Sequence, residues 1–270
     1  MPRYLKSMIL MSACAVFFFA LPAFASPKSV IRIGAYNFPP IAMVDEDNQA
    51  NGLLGDLLDA LRTQQDTFSF EVIHTSPRRR YLDFSNGLFD VMFFENPDWS
   101  WNQDDINFSA PMLKDEEVYI ALKKDNRDQS FFDNLSERRI VAIAGYHYGF
   151  AGFETDSEEL SKRFNIELSH SHRRNLKLIR ADRPSVAEVA VVSRSFLNTY
   201  LSRFPEHRDD LLISEQLDQT YQLRVITRKN GPVGVDTIEG LLQPLIDSGR
   251  YQELVREHGL QLPRNIAGTH

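Results

Sequence analysis

From residue 30 onward, apolar runs with the two-residue period of strands alternate with runs carrying the 3.6-residue period of helices. Residues 30–36 have the β-branched density of a strand, and Pro39-Pro40 ends it because proline cannot donate to a ladder. Leu53, Leu54, Leu57, Leu58 and Leu61 recur at helical spacing, an apolar stripe that must pack on a sheet. Residues 68–73 read as the next strand, Pro77 followed by 78–86 as a short helix closed at Gly87, and 90–94 as a buried central strand. Strand, helix, strand, helix, strand in this order implies parallel pairing with right-handed crossovers.

The pattern repeats after residues 108–111. Segments 118–122, 140–144 and 186–192 read as strands of a second sheet, and a last strand at 223–227 leads into helices around 236–245 and 251–258. The expectation is an α/β protein of two lobes, each a mostly parallel sheet flanked by helices, with its binding crevice at the carboxyl ends of the strands.

Composition narrows the function. A chain of 270 residues that is 43% hydrophobic is long enough for two compact units and excludes disorder or a disulfide-stapled miniprotein. Arg3, Lys6, the apolar run 8–21 and Ala23-Phe24-Ala25 together read as a secretory signal peptide cut after Ala25. The run is short for a membrane anchor. Ser12-Ala13-Cys14 resembles part of a lipobox, but a cut there would leave an apolar mature terminus. Cleavage after Ala25 leaves 28 basic against 37 acidic residues, a charge of −9, and removes the single Cys. That charge offers no footprint for nucleic acid, and a thiol nucleophile, a disulfide or a cysteine zinc site is excluded. His170-x-His172 has no third metal ligand at suggestive spacing, and no nucleophile-elbow, zincin or phosphate-cradle motif is present, so neither cofactor nor metal nor catalytic residue is expected.

Several short pieces, in order, give the chain a resemblance. They are Phe38-Pro39-Pro40 after the first strand, a Gly-Leu-Leu-Gly-Asp-Leu-Leu helix start at 52–58, and Gly87-x-x-Asp90 before a hydrophobic strand. Phe108-Ser109-Ala110-Pro111, Gly145-x-x-x-Gly149 and Asp247-Ser248-Gly249-Arg250-Tyr251 follow. Over nearly all of residues 28–260 the chain resembles the family-3 bacterial extracellular solute-binding proteins. The resemblance implies a two-lobed periplasmic-binding-protein-like fold (type II). Lobe one would comprise 28–113 plus 222–262 and lobe two 118–213, with hinge strands near 114–117 and 214–221. It implies a periplasmic monomer that closes on a small-molecule ligand, an amino acid or related polar solute, and is read by an ABC permease. The alternatives are a partner of a membrane sensor or, on the same fold, a dehydratase or glycan lyase in which Glu95 or Asp98 serves as acid or base.

The candidate ligand residues follow from that resemblance and from their chemistry. Tyr36 and Phe38 stand where the family has an aromatic platform, able to stack on a planar group or hold a cation, or else simply to pack the core. Of Arg78, Arg79 and Arg80, which cannot all face a cleft, Arg79 and Arg80 are candidates to grip a carboxylate. Glu95 and Trp99, with Asn96, Asp98 and Trp101 nearby, follow the central strand. The family's carboxylate-binding arginine is missing there, and Asn102 stands in its place. In the second lobe, residues 145–149 are expected to run into a helix whose free amides, with Tyr146 and His147, could receive an anion. Ser193 and Arg194 stand where amino-acid receptors carry an aspartate for the ligand's ammonium. The acidic and basic candidates leave the ligand's charge open.

Overall fold

The computed structural model describes residues 28–267; the segment 1–25, expected from the sequence to be a signal peptide, lies outside them. In the first half, β1 (Ser29–Ala35) lies between two parallel neighbours, β4 (Phe68–His74) and β5 (Val91–Glu95), with Ile33 opposite both Val72 and Val91. A small hairpin of β2 (Met43–Val44) and β3 (Ala50–Asn51) precedes α1 (Leu53–Gln64). The five leucines of α1 at helical spacing are all buried, and each contributes about 1.5–3 kcal/mol by leaving water. The next helix, α2 (Arg80–Ser85), is shorter than 78–86: the amides of Arg79 and Arg80 both bond back to the Ser76 carbonyl, so residues 76–79 form a turn before the helix proper. Gly87 closes it at φ 76°.

β6 (Ile106–Phe108) leads to β7 (Leu113–Leu122), and the second half follows with β8 (Arg139–Ile143), α3 (Ser157–Arg163), β9 (Asn165–Ser169), α4 (His172–Arg180), β10 (Val189–Ser193) and α5 (Arg194–Arg203). β10, β8 and β9 are parallel. The chain returns through β11 (Leu211–Arg228) and ends in α6 (Val235–Asp247), α7 (Arg250–Glu257) and α8 (Arg264–Ala267). The strand order is β4-β1-β5-β11-β7-β10-β8-β9, with β6 on β11. The fold is thus α/β, two lobes of mostly parallel sheet joined by antiparallel β7 and β11, which pair with each other and reach into both halves.

Two expectations change. The final strand is 18 residues long rather than confined to 223–227: its polar stretch 214–222 stays extended because the β7 ladder satisfies its backbone, with register shifts near Leu217. Residues 145–149 do not enter a helix. They form an open loop ending in a single 3₁₀ turn, Gly149–Ala151, and the next α-helix begins only at Ser157, capped by Asp156.

Candidate functional site

The ends of β1 and β5 and the start of α2 supply one wall of a small cavity at the junction of the halves. After Ala35 the chain doubles back through paired Phe38 and Ala42 backbones. This turn stacks the Tyr36 and Phe38 rings at 6.2 Å and buries both. Beside them Arg80, 1% exposed, lays its guanidinium 5.1 Å from the Tyr36 ring and 4.5 Å from that of Tyr81 and donates to the Pro77 carbonyl. Its Nε lies 3.3 Å from Oε2 of Glu95, which is fully buried. Trp101 Nε1 donates to the same carboxylate oxygen at 3.0 Å.

Glu95 points inward because the strand alternation is broken just before it. Phe94 sits at φ 62°, a left-handed conformation, and the β11 register shifts between Arg224 and Ile226 opposite. Such a conformation costs about 1–3 kcal/mol in a non-glycine residue. Here it turns a carboxylate into the interior. Burial pushes the Glu95 carboxyl above its ordinary value, and the Arg80 charge opposes that shift.

The second half brings the 145–149 loop against this wall. Tyr146 donates across the junction to the Asn37 carbonyl at 3.0 Å, its ring edge-on to Phe38 at 5.6 Å. His147 stacks on Trp99 at 6.1 Å and 9°, with Nε2 3.0 Å from Ser100 Oγ. Burial, followed by the Arg80 charge, holds the His147 pKa down at about 3, so its ring is neutral at physiological pH. Gly145, at φ 79°, lets the loop approach closely, because a Cβ there would meet Arg78 Cγ at 2.5 Å. Of the amides in 145–149 expected to receive an anion, Tyr146 N donates to the Ile143 carbonyl and Gly149 N to a carboxylate of the protein itself. Gly149 N and Phe150 N each donate to the Asp218 carboxylate at 2.7 Å, and Tyr119 OH donates to it at 2.6 Å.

The expected residues therefore divide. Tyr36, Phe38, Arg80, Trp99, Tyr146 and His147 line one cavity, with Glu95 held against it through Arg80. Arg79 instead turns to solvent and pairs with Asp83 at 3.3 Å. Ser193 caps α5, accepting from the Phe196 amide. Arg194 pairs with Glu116 at 2.8 Å. None of these three reaches the cavity, because each has a nearer partner on its own lobe or on β7.

The sequence reading passed over Glu117, which also lines the cavity. It is 2% exposed, and Tyr221 OH donates to its Oε1 at 3.3 Å. Asp115, buried on the same strand face, accepts from the Ser195 hydroxyl and amide. Burial pushes Asp115 up to about 6. The period of two was the available signal: it places 115, 117 and 119 on one face of β7, whereas the resemblance marked 114–117 only as a hinge strand. The cavity itself is about 10 Å³, room for a single water. Among the described residues no group of three or more His, Cys, Asp or Glu is placed to hold a metal ion.

Two lobes bridged by a pair of antiparallel strands, with an aromatic and charged cavity between them, define a protein of the periplasmic-binding type. The chain belongs to the bacterial extracellular solute-binding proteins, family 3, whose sequence profile matches residues 31–261. Similar solved structures include a putative binding component of an ABC transporter from Wolinella succinogenes complexed with lysine. It is 14% identical, covering 86% of this chain and 96% of that one, with TM-score 0.66. Another is an ABC uptake transporter substrate-binding protein from Streptococcus pneumoniae with bound histidine, 19% identical, covering 84% of this chain and 91% of that one, TM-score 0.65. A histidine kinase sensor domain with similarity to periplasmic binding proteins is 16% identical, covering 87% and 98%, TM-score 0.65. Among curated proteins none matches the sequence.

Proposed function

We propose that this chain is a periplasmic receptor that captures a small polar solute, an amino acid or a related compound, between its lobes and delivers it to an ABC importer. The observation that carries this reading is a set of buried polar atoms without hydrogen-bond partners at the cavity: Trp99 Nε1, Glu117 Oε2 and His147 Nδ1, with Glu95 Oε1 behind Arg80. An unmade bond of this kind costs about 1–3 kcal/mol, and a solute carrying both donors and acceptors would recover it. The relatives holding lysine and histidine support an amino-acid-like solute. Because the cavity has room for one water, a solute enters only when the lobes part, with hinges near 114–117 and 214–221 of β7 and β11. The lobes are then 28–113 plus 222–262, and 118–213, and the solute's preference for the closed form sets the shift. Export by a signal peptide cut after Ala25 places the receptor in the periplasm.

A thermal-shift screen of amino acids and related solutes tests this. A ligand at a hundred times its Kd adds about 2.7 kcal/mol, roughly 5–10 °C in Tm for a chain of this size. If no small polar solute moves the transition, the reading is overturned. The similarity to a kinase sensor domain supports a second reading, a free receptor reporting to a membrane signalling protein. Neighbouring genes for a permease and an ATPase would favour transport, and a neighbouring kinase or cyclase would favour sensing.

A further inference from the structure

The charges around the cavity do not balance. Among the described residues Arg80 is the only cationic one lining it, and Glu95 already neutralises it at 3.3 Å, with both side chains buried. His147 is neutral. Glu117 remains: no ion pair among the described residues includes it, Tyr221 serves one of its oxygens, and Oε2 has no partner. The charged groups facing it, Asp115 on its own strand and Asp218 on β11, are both acidic. Tyr221 of β11 and Tyr146 and Tyr148 of the loop after β8 complete its surroundings. An anionic solute would meet these carboxylates, and among the described residues that line the cavity no unpaired cation is present for a carboxylate group on the solute. A cation would meet an unpaired carboxylate and the faces or edges of aromatic rings.

From this geometry we infer that the site recognises its solute by a protonated amine, with Glu117 on the crossing strand as the counter-ion, and that it needs no carboxylate on the solute. The inference rests on the receptor reading and narrows it to small organic amines, enclosed by Phe38, Trp99 and Tyr146. Burial and the neighbouring acids raise the Glu117 pKa well above its ordinary value, which favours a proton on the free carboxyl, and an ammonium beside Oε2 favours its loss. Binding then moves that proton from the carboxyl to the buffer, and the charge in the cavity is balanced by the incoming ammonium.

The test is titration calorimetry on the purified protein with cadaverine, agmatine, lysine, arginine, glutamine and glutamate. Cadaverine and agmatine should bind at least as tightly as lysine and arginine. Glu117→Gln should weaken them by at least ~30-fold, the lower range for removing one partner of a buried charge pair. Repeating the wild-type titration at pH 6 in buffers of different ionisation heat should show about one proton released per amine bound, a readout that stands even if the variant does not fold. Binding of glutamate or glutamine without the amines overturns the inference and leaves the receptor reading intact. So does a tenfold preference for lysine over cadaverine, an unchanged affinity in the variant, or the absence of proton release. If no compound of any charge binds, the receptor reading fails and the inference with it.

Discussion

The Arg80–Glu95 pair gives the sharpest energetic test. Replacing Arg80 with Met keeps most of the apolar stem but leaves a fully buried carboxylate without its counter-charge. The cheapest response is for Glu95 to take a proton. From its ordinary value of 4.5, this costs about 1.36 kcal/mol for each pH unit above that value, or about 3.4 kcal/mol at pH 7 and about 0.7 at pH 5. The figure at pH 7 falls within the ~3–5 kcal/mol seen when one partner of a buried pair is removed. A raised acid pKa in the folded state stabilises below the unfolded pKa, and that stability is lost as pH rises. Arg80→Met should therefore lower Tm by roughly 6–14 °C at pH 7 and by much less at pH 5, as followed by circular dichroism. The double variant Arg80→Met, Glu95→Gln should regain most of the loss at pH 7. Equal losses at both pH values, or a double variant no more stable than the single one, would refute the assignment of the cost to the stranded carboxylate.

Tyr146→Phe removes the bond to the Asn37 carbonyl across the junction; a loss of about 1 kcal/mol should weaken solute binding about fivefold and enlarge the scattering radius of the solute-bound protein. His172 is buried with both ring nitrogens unpartnered, against Tyr146 and Phe196, and burial holds its pKa down at about 3. A lowered base pKa withdraws stability as pH falls below 6.5, so His172→Phe should raise stability to urea, by about 2 kcal/mol more at pH 5 than at pH 7; a variant less stable than wild type at pH 5 would count against this. Asp218→Asn keeps a side-chain oxygen but cannot accept from the Gly149 and Phe150 amides and Tyr119 OH as a carboxylate does. It should cost about 1–3 kcal/mol and speed hydrogen exchange at those two amides, and unchanged exchange would rule the contact out as a restraint on the loop.

How far the fold and site could be read in advance depended on locality. The α1 stripe and the cores of β1, β4 and β5 carry their periods within a few residues, so they were legible. Of β11 only 223–227 was legible in the local pattern, and the crossing at 214–221 came from the family resemblance, because Ser214 to Gln222 owe their extended form to β7, some hundred residues earlier in the chain. Tyr36, Phe38, Arg80, Trp99, Tyr146 and His147 line one cavity, and their place after strand ends or at a helix start, where crevices form, was visible in the sequence. Arg79 and Arg80 are adjacent and chemically alike; only the turn at 76–79 decides which one is buried. The bond from the Gly149 amide to a carboxylate was hidden for a similar reason. Nothing near Gly149 in sequence announces that Asp218 reaches it.

The placement of α6 and α7 bears on how the molecule is assembled. Gln64 of α1 donates to the Leu241 carbonyl at 3.0 Å, and His258, just after α7, reaches Asp56 at 2.7 Å across a sequence separation of 202. The first helix of the described residues thus leans on helices near the C-terminal end. The intervening segment from β8 to α5 contains neighbouring parallel strands and their helices, and can begin to organise early. The bonds of α1 to α6 and to the end of α7 form only once the C-terminal helices exist, so docking of those helices onto the N-terminal half is expected late in folding.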